Sequence, residues 1–330
     1  MADLRLPGVL IVGCGNVAGG YDMAGGDGRF PLSHAGAYRN HGGFDLRACV
    51  EPDDERRERF MRHWAIPEGA ASMQELLDRG CRLDVVAICS PTAFHAEHLA
   101  AALRFGPRLV VCEKPVTPSL AETRHWIERY EAAGVALLVN HTRRWAPDVA
   151  RLARALAEGG RGRLRSVSGT YSKGLLNNGS HMLDLLRMLC GDLMVVAAGE
   201  PRADFFVHDP SVPFLLRSWT GVPITVNVAD AADYSIFELQ LVTSDGVIAM
   251  EEGGQRWRER TVVPSVAFAG YRALDAGRFV EGEYRLAMTR MVGNQHEFLQ
   301  SGTPIACTGR DALAAQELCA RVLDHSGRGT

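Results

Sequence analysis

The chain has 330 residues, long for one hydrophobic core, so two domains are expected. Hydrophobic residues make up 46% and charged residues 23%, the balance of a globular protein rather than a disordered one. A formal charge of -3 gives no field that would draw in nucleic acid or an anionic membrane, and charges break every apolar run before it could span a bilayer. Met1 to Pro7, with Asp3 and Arg5, has no signal-peptide core, and the expected compartment is the cytoplasm.

Val9 to Gly13 is a continuous apolar run, the pattern of a strand buried on both faces. It runs into Gly13-Cys14-Gly15-Asn16-Val17-Ala18, a G-x-G-x-x-A turn. There Gly13 allows the tight turn, Gly15 lets backbone approach a pyrophosphate, and Ala18 lets a helix pack close to the strand. Asn16 and Val17 open that helix, whose amides would face phosphates. Residues 19–33, rich in glycine with Asp22, Asp27 and Pro31, read as a loop that is either a lid or a plain surface excursion. Ser33 is the candidate cap of the next helix.

A second strand, Phe44 to Val50, ends at Glu51, whose carboxylate can accept from the ribose hydroxyls of NAD and would repel a 2′-phosphate. Arg56 and Arg57 follow on a helix, read as a solvated face, although either could reach a phosphate. Ser72 caps a short helix from Met73 to Arg79. Asp84 to Cys89 is the next buried strand, ending at Ser90-Pro91-Thr92, and His95 opens the helix after it, near the strand ends. Leu109 to Cys112 runs into Glu113-Lys114-Pro115, which is either a ligand-facing charged pair or a surface salt bridge. A helix from Pro118 and a strand from Val135 to Val139, ending at Asn140-His141, complete the alternation. This is a doubly wound α/β domain over residues 1–142, with its crevice at the strand tips.

Beyond Arg143 the pattern changes. After a helix from Asp148 to Glu158, strands are expected at 164–171, 194–198, 214–219, 224–229, 236–242 and 247–250, with few helices between them. Residues 143–330 therefore read as an α/β domain with an open, mostly antiparallel sheet, its last helices at 286–299 and 311–323, the final one able to pack back on the first domain. Ser326 to Thr330 is a loose tail. Both faces of the strand at Phe214 carry apolar groups, compatible with a homo-oligomer. The stretch from Ser172 to Asp184 is dense in hydrogen-bonding groups, and His181 and Asp184 share one helix face. The eight cysteines show neither disulfide-framework nor zinc spacing.

Taken together, the glycine turn, Ser90-Pro91-Thr92 with His95, Glu113-Lys114-Pro115, and Gly179 with His181 and Asp184 resemble the glucose-fructose oxidoreductase / inositol dehydrogenase / rhizopine catabolism (Gfo/Idh/MocA) family of NAD(P)-dependent oxidoreductases. The resemblance covers nearly the whole chain. It implies a Rossmann domain, a substrate-binding domain that builds dimers or tetramers, and hydride transfer between NAD, or alternatively NADP, and a secondary alcohol of a sugar, nucleotide sugar or cyclitol. Within it, Lys114 and His181 flank the reacting hydroxyl. Gly13, Gly15, Asn16, Val17, Glu51, Ser90, Thr92, His95, Glu113 and Lys114 would hold cofactor. Tyr171, Lys173, Asn177, Asn178, Asp184 and Arg143 would hold substrate. Many relatives carry an aspartate where this chain has Asn177, which orients a hydroxyl but accepts no proton at neutral pH. The alternatives are a redox-neutral enzyme that retains its NAD and a non-catalytic NAD(H) sensor.

Overall fold

The computed structural model describes residues 5–23, 25 and 28–328. Asp3, Ala24, Gly26, Asp27, Gly329 and Thr330 lie outside the described residues, so the expectations that fell on them are not followed further. The chain forms two compact units, Met1–Trp145 with Arg285–Leu313, and Ala146–Tyr284 with Ala314–Thr330. Residues 285–313, expected in the second domain, group with the first unit. Helix Ala287–Ser301 buries Met288, Met291, Val292 and Leu299. Its Gln295 accepts the buried Tyr38 hydroxyl at 2.7 Å.

Unit 1 is a parallel six-stranded sheet of β1 (Gly8–Val12), β2 (Asp45–Val50), β3 (Glu68–Ala70), β4 (Val85–Ile88), β5 (Leu109–Cys112) and β6 (Ala136–Val139). Their order, β3-β2-β1-β4-β5-β6, is that of a dinucleotide-binding sheet. β1, β4 and β5 are buried along their whole length, which is why they read as unbroken apolar runs. Ser33, Asp53, Ser72 and Ser119 each cap a helix by accepting the amide three residues on. Helical structure persists further past the glycine turn than expected. Gly19 and Gly20 both donate to the Gly15 carbonyl, a wide turn that carries helix through Met23 before the chain leaves for the loop.

Unit 2 carries β7 (Leu164–Tyr171), β8 (Leu193–Ala198), β9 (Arg202–Phe206), β10 (Asp209–Ser211), β11 (Phe214–Ser218), β12 (Pro223–Val228), β13 (Phe237–Thr243), β14 (Gly246–Glu251), β15 (Arg256–Pro264), β16 (Arg272–Leu274) and β17 (Arg278–Glu281). The main sheet runs β16-β15-β14-β13-β7-β12-β11-β8, with β17 also on β15, while β9 and β10 form a separate hairpin. Only the β7–β12 pairing is parallel. The inner residues of the sheet, among them Val167, Leu216 and Ile224, share one apolar core with helices Pro147–Ala157 and Ser180–Cys190.

Candidate active site

In unit 1 the strands end in register. Val12 lies opposite Val50 and Ile88, Ile88 opposite Cys112, and Cys112 opposite Val139. The next row is therefore Gly13, Glu51, Cys89, Glu113 and Asn140. Each of these donates its amide to the neighbouring strand, so the ladder closes at this edge. Four stretches singled out in the sequence meet here although they are far apart along the chain. This is the carboxyl edge where open parallel sheets bind ligands.

Gly13 has φ of +85°, and a Cβ there would stand 2.8 Å from the Ser90 Cα, so only glycine makes this turn without strain. A Cβ on Gly15 would meet nothing within 4 Å, which leaves that backbone open to a large group. Glu51 is 5% exposed and folds over the turn. Its Oε2 accepts the Cys14 amide at 3.0 Å, and its Oε1 accepts from the Asp53 amide and from Arg56 Nη1 at 3.1 Å. With one donor on Oε2, a carboxylate lone pair remains for a hydroxyl. Beside it opens a cavity of about 630 Å³ lined by Gly13, Glu51, Arg56, Ser90, Phe94 and His98 among others. This volume lies within the range of cofactor pockets. Arg56, read from sequence as a solvated face, lines this cavity. Phe94 and His98 were not among the expected contacts. The Ser90 hydroxyl lies 2.8 Å from His98 Nδ1, and burial lowers the pKa of His98. Thr92 begins the short 3-10 turn at Thr92–Phe94.

The sequence pattern of the Gfo/Idh/MocA family, an oxidoreductase family with an NAD-binding Rossmann fold, matches residues 8–141. Those residues belong to that family. D-apiose dehydrogenase of Paraburkholderia graminis is 29% identical over 241 residues, 67% of this chain and 64% of that protein. Myo-inositol dehydrogenase Hyg17 of Streptomyces leeuwenhoekii is 30% identical over 238 residues, 70% of this chain and 61% of that protein. The chain thus spans less than two thirds of either relative's length. Levoglucosan dehydrogenase, solved in complex with NADH and levoglucosan, shares the fold with a TM-score of 0.80 at 17% identity, over 99% of this chain and 98% of that one.

Within the Gfo/Idh/MocA domain two expected contacts need correction. His95 is fully buried, with Nδ1 at 2.9 Å from the Pro115 carbonyl and Nε2 at 2.9 Å from the Ser90 carbonyl. It braces two strand-end turns against each other and has no surface to offer a cofactor. Glu113, whose side chain is 12% exposed, turns inward. Its Oε1 lies 2.8 Å from His34 Nε2 and accepts Asn140 Nδ2 at 2.8 Å. Burial alone would raise its pKa, but the His34 contact, Asn140 and the Lys114 charge together hold it below the usual carboxylate value. Lys114 follows it, partly buried, and Arg143 lies in the turn Thr142–Trp145.

The substrate candidates of unit 2 lie around a wide helical turn, Gly174–Gly179, which runs directly into helix Ser180–Cys190. Tyr171 is a correction. It is fully buried, its hydroxyl donates to the Val212 carbonyl at 2.8 Å and accepts the Val212 amide at 2.9 Å, and it belongs to the core. Asn177 Nδ2 donates to the Lys173 carbonyl and Asn178 Nδ2 to the Ser172 carbonyl, so both amides brace their own loop. Lys173 has φ of +70°, and its ammonium lies 5.2 Å from the centre of the Phe205 ring. His181 is 9% exposed and Asp184 is 1% exposed. What sequence reading missed here is the hairpin β9–β10. Asp209 accepts the Leu176 and Asn177 amides at 2.8 Å, Ser211 accepts Gly174, and Asp204 accepts Lys173.

Proposed function

We propose that this protein is an NAD-dependent dehydrogenase that oxidises a secondary alcohol of a sugar, nucleotide sugar or cyclitol, or reduces the matching ketone. The observation that carries the reading is the single edge on which the glycine turn, the Glu51 carboxylate and the Glu113-Lys114 pair converge. Gly13, Gly15, Asn16 and Val17 would hold the pyrophosphate, with Glu51 on a ribose hydroxyl. NAD, when bound, supplies the hydride acceptor. Lys114 takes the proton of the substrate hydroxyl and returns it in reverse, with His181 as the second proton-handling residue. Glu51 favours NAD, since a buried carboxylate repels a 2′-phosphate. Its Arg56 partner offsets only part of that charge, so NADP is the weaker ligand. The names of the relatives, D-apiose and inositol dehydrogenases, support this substrate class.

Titration of the purified protein with NADH and NADPH, followed by nicotinamide fluorescence, tests the cofactor. Binding of NADH ahead of NADPH is expected, and failure of both to bind sinks the reading. Turnover is then sought by nicotinamide absorbance in pools of sugars, cyclitols and nucleotide sugars. Lys114→Ala should lower it by about 10²–10⁴-fold while NADH still binds. We also read the protein as a cytoplasmic homodimer or homotetramer. Exposed Met194, Val196 and Leu215 on β8 and β11 support self-association, and sedimentation checks it.

A further inference from the structure

His34 is delivered to the catalytic edge by the excursion that precedes it. The Asp22 carboxylate accepts the Leu32 and Ser33 amides and the Ser33 hydroxyl, and Ser33 in turn caps helix His34–His41. The loop is therefore pinned at its base, and the first residue after it enters the interior with no exposed surface. There its Nε2 meets Glu113 at 2.8 Å, in the row next to Lys114. Asn140 holds the same carboxylate oxygen from the end of β6.

We propose that His34 is a positioning residue for catalysis: as a buried cation it neutralises Glu113 and thereby keeps that carboxylate from stabilising the protonated form of Lys114. The inference rests on Lys114 being the acid–base group. Its physical basis is charge balance. A carboxylate next to a lysine favours the ammonium and raises the lysine pKa, which would leave too little free amine near neutral pH. A second cation on the far side of the carboxylate cancels much of that effect. Burial disfavours a charged His34, but Cys89 and Glu113 outweigh it and push its pKa up to about 10. The groups around the pair are Cys89 after β4, Cys112 and Glu113 at the end of β5, Lys114 itself, Asn140 after β6, Asp22 at the start of the helix, and Tyr38 one turn along it. Both thiols lie in the interior, and the pKa of Cys112 is raised further by burial and by Glu113. His34 is thus the counter-charge that the helix side brings to Glu113 among the described residues.

The composition makes the test direct. Lys114 and Lys173 are the only lysines in the chain, and every other basic side chain except histidine is an arginine, which does not titrate. Protein labelled with ¹³C at the lysine ε-carbon gives two resonances, and Lys173→Arg assigns them. In His34→Gln, which keeps a donor but loses the charge, the Lys114 midpoint should rise by about one pH unit. Glu113→Gln should lower it, and the double variant should return it toward wild type. The acidic limb of the pH–rate profile for alcohol oxidation should move with it. A purely structural role for His34 would lower turnover and melting temperature but leave these midpoints in place. Unmoved Lys114 midpoints in folded His34→Gln and Glu113→Gln, with Lys114→Ala inactive, overturn the inference and spare the reading of Lys114. Near-normal turnover in Lys114→Ala overturns the reading itself, even where the resonance shifts as expected, and the inference falls with it as a statement about catalysis.

Discussion

Removing the Tyr171 hydroxyl takes away both the donor to the Val212 carbonyl and the acceptor of the Val212 amide. Tyr171→Phe should therefore lower unfolding stability by about 1–3 kcal/mol in urea, and leave KM for substrate unchanged. A raised KM at unchanged stability would return Tyr171 to the substrate site. Glu51→Ala also removes an acceptor, that of the Cys14 and Asp53 amides, and should cost about 1–3 kcal/mol, but unlike Tyr171→Phe it should change ligand binding. It should weaken NADH and relieve the repulsion of NADPH, so the ratio of the two affinities in the fluorescence titration moves toward NADPH. At this scale the sequence was most legible where one residue type has one job, as with Gly13, whose positive φ only glycine adopts without strain. It misled where an identity is shared by two jobs. A histidine at a helix start reads as a ligand contact, yet His95 is spent on two backbone carbonyls. Nothing near position 95 in the chain announces that, because one partner, Pro115, lies twenty residues away.

Among elements, the hairpin β9–β10 is the least exposed to sequence reading and the most consequential. Its strands are short, and Phe205, Phe206 and Val207 at its tip are exposed, so no alternation marks them. What it does is carried by carboxylates reaching back more than thirty residues to the turn Gly174–Gly179. Asp209→Ala leaves two turn amides without their acceptor, at a cost of about 1–3 kcal/mol. Hydrogen exchange at residues 174–179 should quicken before any other part of unit 2 is affected. Unchanged protection there would show that the turn holds itself. By contrast, five of the six strands of unit 1 were read to within about a residue at each end, those buried on both faces by their continuous apolar signature, while the three-residue β3 was missed.

For the molecule as a whole, the His34–Glu113 pair sets a pH dependence of stability. The folded pKa of His34, about 10, lies above its ordinary 6.5, so its contribution is complete below 6.5 and is lost as pH climbs toward 10. Glu113 has the opposite sign. Its pKa is lowered, so its contribution is present above the ordinary 4.5 and is lost as pH falls through the lowered value. Melting temperature should decline from pH 7 to 10 in wild type and decline less in His34→Gln, as calorimetry would record. Parallel curves would mean that the pair is not ionised in the folded state.

The return of residues 285–313 to the first unit has a consequence for how the protein is made. A ribosome releases the Rossmann strands by residue 139, but the helix that satisfies the Tyr38 hydroxyl is not yet synthesised. Until residue 313 emerges, the nascent unit keeps an uncovered apolar flank and a Tyr38 hydroxyl without its Gln295 acceptor. A chain ending at Trp145 should therefore be short-lived or chaperone-bound, and adding the 285–313 segment as a separate peptide should rescue it.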